Sequence, residues 1–222
     1  MPFLKFATIA VGLALAASAQ AATQFKATIN AAQIVGGSTS TGTGVGTATL
    51  VGGPGNYSFQ YSVEFSGFDW GTNFLGASTT PGTGDDVLNF HIHLGDAGST
   101  GGVVYSVRQP DRENGTEPTV VLLPNGNARI TGSWDNADGD TRVAFAGTNT
   151  GVGNLEAFWV PVMLAAQPNQ AIGLYFDIHT IDHPGSAIRG QITAVPEPQT
   201  YAMLLAGLGV LGWAARRKPL RA

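Results

Sequence analysis

The sequence predicts an all-β domain, a sandwich or barrel of mostly antiparallel strands. Three observations lead there. The chain holds 31 glycines and 12 prolines in 222 residues, enough to punctuate it but too few for a low-complexity chain. Between these breakers lie short runs of alternating apolar and polar residues, the pattern of half-buried strands joined by turns. Finally, no long stretch between the two ends keeps a helical period.

The elements follow in order. Lys5 precedes an apolar run over residues 6–17, and Ala19-Gln20-Ala21 supplies small residues at a cleavage-type site. Residues 1–21 therefore read as a secretory signal peptide cut after Ala21 by signal peptidase, since the run is too short to make a good membrane span. Residues 22–194 form the domain, with strands expected at 24–30, 44–51, 57–65, 87–94, 103–108, 119–123, 128–133, 142–145, 158–164, 172–179 and 187–193. Residues 195–222 are a separate segment. Pro196-Glu197-Pro198 leads into an apolar run over 201–215, which Arg216, Arg217 and Lys218 close as a basic stop on the cytoplasmic side.

Charge and composition exclude several functions. Residues 22–194 carry six Lys and Arg against fourteen Asp and Glu, a net of −8, which is the wrong sign for nucleic acid or an anionic membrane surface. Cysteine is absent, so disulfides, thiolate chemistry and cysteine-based zinc sites are excluded. The acidic stretch Asp135-Asn136-Ala137-Asp138-Gly139-Asp140 has Ala137 where a calcium loop needs an oxygen ligand, and reads as a hairpin turn. Gly42, Gly44 and Gly46 precede neither a helix pattern nor a Lys, so they make no phosphate loop. No Gly-x-Ser-x-Gly elbow is present to support a hydrolase.

The chemistry that remains is histidine chemistry. All four histidines lie in two short stretches, NFHIHLGDAGSTGG and FDIHTIDHPGSAIRGQI. Strand alternation puts Leu88, Phe90, Ile92 and Leu94 on one face and Asn89, His91 and His93 on the other. It likewise separates Phe176 and Ile178 from Tyr175, Asp177 and His179, and Ile188 and Ile192 from Arg189 and Gln191. The short turn at 182–185 makes the last two strands antiparallel neighbours; periodicity does not place 87–94 beside them. One reading of the resulting patch is structural: His91 and His93 hydrogen-bond nearby loops or Asp177, while Arg189 bonds Asp177 across the hairpin or braces a loop carbonyl, with Gln191 as a second bracing residue. The other is a zinc or copper site with His91, His93 and His179 as ligands and His183 or Asp177 as a fourth.

Both regions resemble known families. Pro196-Glu197-Pro198, an apolar helix and Arg216-Arg217-Lys218, in that order, resemble the PEP-CTERM sorting signal of Gram-negative bacteria. That resemblance implies an exosortase as processing partner, transient insertion in the inner membrane, and release to the cell surface or extracellular matrix. His91-Ile92-His93 followed by Gly95, Gly98 and Gly101 resembles the first motif of the CHRD domain, and Ile188-Arg189-Gly190-Gln191-Ile192 its closing motif. The chain departs from the family at Ser186-Ala187, where a Glu is usual. The CHRD resemblance implies an immunoglobulin-like β-sandwich in an extracellular protein, without implying an activity. The function expected is thus a non-catalytic surface or matrix protein binding polysaccharide or a protein partner, with a metal-binding protein or oxidoreductase as the alternative. Trp70, Trp134 and Trp159 are the residues to watch for sugar stacking, although tryptophan in a sandwich is usually core.

Overall fold

The computed structural model describes residues 23–106, 118–137, 154–196 and 205–209. The signal-peptide reading with Ala21, the strand expected at 142–145 and the sorting residues Glu197, Pro198, Arg216, Arg217 and Lys218 lie outside them. Nine strands form one antiparallel sheet. They are β1 Thr23–Asn30, β2 Thr43–Val51, β3 Ser58–Ser66, β4 Val87–Leu94, β5 Val103–Ser106, β6 Thr119–Leu122, β7 Ala128–Asp135, β8 Ala171–Thr180 and β9 Ile188–Ala194. Their spatial order is β5-β4-β8-β9-β1-β2-β3-β7-β6.

The sheet curls on itself as a half-barrel, so the facing layers of the predicted sandwich come from two halves of one sheet. Tyr105 of β5 stacks on Trp134 of β7 at 5.5 Å between ring centroids, and its hydroxyl donates to the Ser133 carbonyl. Strands at opposite ends of the sheet thus meet across the interior. Alternation explains what fills it: Phe25, Phe59, Phe65, Phe90, Ile92, Phe176, Ile178 and Ile192 are each at most 1 % exposed. Burying such a side chain contributes about 2 kcal/mol, so the aromatic rows account for much of the driving force.

Trp70, Trp134 and Trp159 all belong to this core. At Gly190 the backbones of β9 and β1 press together: an added Cβ would lie 2.4 Å from Ile29 Cγ1 and 2.7 Å from the Thr28 carbonyl oxygen. That close approach is why the position takes no side chain.

One expected strand is a helix. Over 158–164 the chain instead runs from a wide helical turn, Leu155–Trp159, into α1, Val160–Ala165. The Asn154 side chain caps the turn by accepting from the Ala157 N–H at 2.7 Å. Pro161 sits in the first turn of α1, where its missing N–H costs nothing, whereas inside a strand it would interrupt the ladder. Leu155, Trp159, Val160 and Met163 are buried along one side of the helical segment.

Among the described residues, no helix is long and apolar enough to cross a membrane. Of the expected C-terminal helix, residues 205–209 are described, and they are helical.

A covered histidine cluster as candidate functional site

β4 lies beside β8, and β8 beside β9, so the three polar rows adjoin. Across the first pair His91 faces Asp177, His93 faces Tyr175 and Asn89 faces His179. Across the second, Asp177 faces Arg189 and Tyr175 faces Gln191. Phe90, Ile92, Phe176, Ile178, Ile188 and Ile192 point into the core, whereas Leu94 at the end of β4 is exposed, and the polar residues share the sheet's other face.

That face is covered by three connections. The β1–β2 loop contributes Ile34, Val35 and Gly37, the β4–β5 turn Thr100 and Gly101, and the β8–β9 turn His183, Gly185 and Ser186. Arg189 and Gln191 hold part of the cover in place. The Arg189 guanidinium donates to the carbonyls of Ser99 and Asp96 and to Gln191 Oε1, and lies 3.6 Å above the Tyr175 ring. Gln191 Nε2 donates to the carbonyls of Gly95 and Leu174. The bracing role expected of both residues is therefore exercised on loop carbonyls and on each other. A cavity of about 380 Å³ remains beneath the cover, lined among others by His93, Tyr175, Asp177, Ser186 and Arg189.

Beside this cavity, which His93 lines, three imidazoles converge. Ring centroids lie 5.4 Å apart for His91 and His93, 5.1 Å for His91 and His179, and 5.7 Å for His93 and His179. One nitrogen of each ring lies within 4.8 Å of the corresponding nitrogens of the other two. Backbone carbonyls orient two of the rings. His93 Nδ1 is 3.0 Å from the Gly101 carbonyl oxygen and His179 Nδ1 is 3.0 Å from that of Pro184. Because a carbonyl only accepts, Nδ1 carries the proton in both, and Nε2 presents a bare lone pair. His93 Nε2, His179 Nε2 and His91 Nδ1 are buried without a hydrogen-bond partner.

Burial also keeps these rings neutral. It lowers the pKa of His91 to about 3, helped by the neighbouring His179 and His93. It lowers that of His93 to about 4, against the opposing hydrogen bond to Gly101, and it lowers that of His179 as well. Asp177 Oδ2 stands 3.9 Å from both His93 Nε2 and His179 Nε2. With neutral imidazoles these contacts are not ion pairs. Burial raises the Asp177 pKa to about 7 in spite of the Ser186 hydroxyl, which donates to Oδ1, and the Arg189 charge. A buried polar group ordinarily finds a partner, so three orphaned nitrogens in one pocket call for an explanation. Their lone pairs, neutral state and carbonyl-oriented rings are what a transition metal requires of imidazole ligands.

The structure thus gathers His91, His93, His179 and Asp177 and leaves His183 apart. His183 Nε2 pairs with Thr39 Oγ1 at 3.0 Å, and its ring lies in the β8–β9 turn at the cavity wall. Sequence reading missed the parts played by Tyr175, Ser186 and the Gly101 and Pro184 carbonyls. Tyr175 had a signal, since it shares strand parity with Asp177 and His179; its ring stacks on His93 at 5.2 Å and 19°. Gly101 had one too, a glycine in a tight turn: a Cβ there would lie 1.9 Å from the Leu94 carbonyl oxygen. Ser186 and the two carbonyl contacts had none, because they depend on how the turns fold back.

These features define an all-β domain with a largely buried imidazole cluster between its sheet and three connecting loops. The chain belongs to the CHRD domain family, whose model matches residues 25–192. The PEP-CTERM protein-sorting motif matches residues 194–218. No curated protein and no solved structure matches the chain. The sorting motif marks a protein processed by exosortase and exported to the envelope or surface of a Gram-negative bacterium.

Proposed function

We propose that this chain is an exported, non-catalytic surface protein whose CHRD domain binds a transition-metal ion, zinc or copper, through His91, His93 and His179. The observation that carries the reading is the convergence of three imidazoles, one ring nitrogen of each within 4.8 Å of those of the other two, in a cluster where every ring also has a buried nitrogen without a hydrogen-bond partner. A purely structural cluster would have its ring nitrogens satisfied, as the Nδ1 atoms of His93 and His179 are. Asp177 supplies a nearby negative charge, and Arg189, Gln191 and Tyr175 fix the strands and loops that frame the ligands. The sorting motif adds a passage through the inner membrane and release to the surface or extracellular matrix. Attachment there to polysaccharide or a matrix protein draws its support from the motif alone, since Trp70, Trp134 and Trp159 are core residues.

The test is metal content. The protein, purified without a histidine tag, incubated with zinc or copper and desalted, is expected to retain one ion per chain. A His91→Ala/His93→Ala variant with an unchanged circular dichroism spectrum is expected to retain none. A folded parent protein without metal, or a variant that keeps it, overturns the reading.

A further inference from the structure

The histidines lie toward one end of β8, and the other end carries an apolar surface with no part in their chemistry. There the helical segment over 155–165 crosses a mouth of the half-barrel. At its start the Glu156 carboxylate accepts from the Gly55 N–H, in the β2–β3 turn, and from Asn136 Nδ2, just past β7, at 3.0 Å. At its finish residues 166–170 turn into β8. His179 stands eight residues beyond Ala171, about 27 Å along an extended strand.

This segment has no polar face. Leu155, Trp159, Val160 and Met163 are buried, and the residues it exposes, among them Phe158, Pro161, Val162 and Leu164, are all apolar. Phe158 is 45 % exposed, and Val162 and Leu164 are each 39 % exposed. A surface helix ordinarily turns polar residues outward, yet no charged residue occurs from 157 to 170. Contiguous exposed apolar surface marks a contact with lipid or with another protein.

The place where the chain leaves the domain selects lipid. β9 ends beside this segment: the Asn169 N–H donates to the Ala194 carbonyl at 2.8 Å, and the Ala194 N–H to that of Gln170 at 2.9 Å. The Val195 N–H donates to the Gln24 carbonyl at 2.8 Å, which ties the exit to the sheet. The apolar run of the sorting motif begins at Tyr201, five residues past Pro196, and five extended residues reach no more than about 18 Å. With that run in a bilayer, this end of the half-barrel is the one held at the membrane surface. Leu205 and Leu208 within the run are 68 % and 56 % exposed, so they do not cover the apolar face themselves.

We infer that, while the sorting segment is inserted, Phe158, Val162 and Leu164 dip into the interface of the inner membrane and dock the domain on the lipid. The inference rests on the inserted stage of the reading above and is independent of the metal. The acidic excess of the domain opposes an electrostatic attachment, whereas this contact is apolar and its face uncharged. One short helix holds lipid weakly, and the tether compensates by keeping its local concentration high. Docking also keeps the junction over 195–200 close to the bilayer, where the exosortase that processes the motif must reach it.

The experiment uses the full-length chain reconstituted in phosphatidylcholine vesicles. Because the chain has no cysteine, single fluorophores can be placed through Val162→Cys, Leu208→Cys and, on the outer face of β2, Val45→Cys. Lipids with a quencher on the upper acyl chain are expected to quench the label at 162, at a depth of about 5–10 Å. Quenchers at the chain end should reach the label at 208, and neither should reach that at 45. Phe158→Ser, at an exposed position, should weaken quenching at 162 by about twofold or more, since interfacial binding scales with buried apolar area. If the label at 162 alters the circular dichroism spectrum, Leu164→Cys takes its place. Quenching at 208 without quenching at 162 overturns the docking and leaves the inserted stage standing. A label at 162 shielded from aqueous iodide but untouched by lipid quenchers puts protein on the face and overturns lipid as its occupant. Equal quenching at 45 and 162 removes the orientation and overturns the inference. No quenching at 208 overturns the inserted stage, and the docking falls with it.

Discussion

The loop after β3 and the face around β8 each bury a carboxylate, Asp69 at 1 % exposure and Asp177 at 4 %, and treat it in opposite ways. Asp69 accepts from the backbone N–H groups of Gly71, Thr79 and Thr80 and from the hydroxyls of Ser78, Thr79 and Thr80. Burial would raise its pKa, but these donors outweigh it and hold the group well below the usual carboxylate range. Asp177 has the Ser186 hydroxyl and few other donors, and burial lifts it to about 7. Both oxygens of the Asp69 carboxylate are matched, and the group acts as a staple for the 71–80 loop. Around Asp177 the neighbouring imidazoles lack partners. A buried polar cluster that is fully matched is architecture; one left short of partners has room for something else to bind.

The largest effect that sharpens this contrast is expected at Asp69. Asp69→Ala strands the buried Gly71 N–H and returns two N–H groups and three hydroxyls of the exposed residues Ser78, Thr79 and Thr80 to water, and should lower stability by about 3 kcal/mol, roughly 1–3 kcal/mol for the buried donor plus smaller net losses for the rest. The shift in urea-denaturation midpoint measures it, and a loss below about 1 kcal/mol would remove the staple from the account.

Next in size is the acid response of the metal-free protein. The folded pKa values of His91 and His93, about 3 and about 4, lie below the ordinary 6.5, so the unfolded chain binds more protons. Their contribution is complete above pH 6.5 and is lost as pH falls toward those folded values. Asp177 acts with the opposite sign. Its raised pKa of about 7 adds stability in acid that disappears as pH rises from its ordinary 3.8 through 7. The histidines outnumber it, so acidification from about pH 7 to about pH 5 should cost on the order of 2 kcal/mol. A flat profile over that range would contradict the buried, unpartnered state of the rings.

Asp177→Asn provides a finer probe. It should change stability at neutral pH by only about 1 kcal/mol, far less than the change at Asp69, and it should steepen the acid loss because the opposing carboxyl is gone. An Asp177→Asn variant as damaged as Asp69→Ala would erase the difference between the regions. The smallest effect belongs to the exposed outer face, where Arg129 and Glu64 pair at 3.1 Å. Glu64→Gln should alter stability by less than about 0.5 kcal/mol, as expected of a solvated ion pair, and double-mutant analysis with Arg129→Gln checks it.

Much of this was legible in the sequence, and the misses have physical causes. Nine expected strands match β1–β9 to within two residues, where turns and alternation put them. The segment at 158–164 misled because its apolar run has no clear period, even though Pro161 already argued against an interior strand. At the site, His91, His93 and His179 could be placed on outward faces strand by strand. Asp177 could be placed by the same parity; that β4 would bring its histidines beside β8, and that His183 would turn away toward Thr39, could not.

By itself, then, the sequence determined the all-β class, the parity that sets each histidine opposite the core residues of its strand, and the C-terminal sorting segment. These are local properties: side-chain direction alternates along any strand, and targeting segments are recognised by composition over a few residues. Only the tertiary structure decided that β4 adjoins β8, that three loops close over the outward face, and that the Gly101 and Pro184 carbonyls hold two rings with their bare nitrogens turned toward a third. Those outcomes depend on pairing between segments far apart in the chain. The same long-range pairing buries much of the three rings and brings them together, and that turns an ordinary polar sheet face into a candidate metal site.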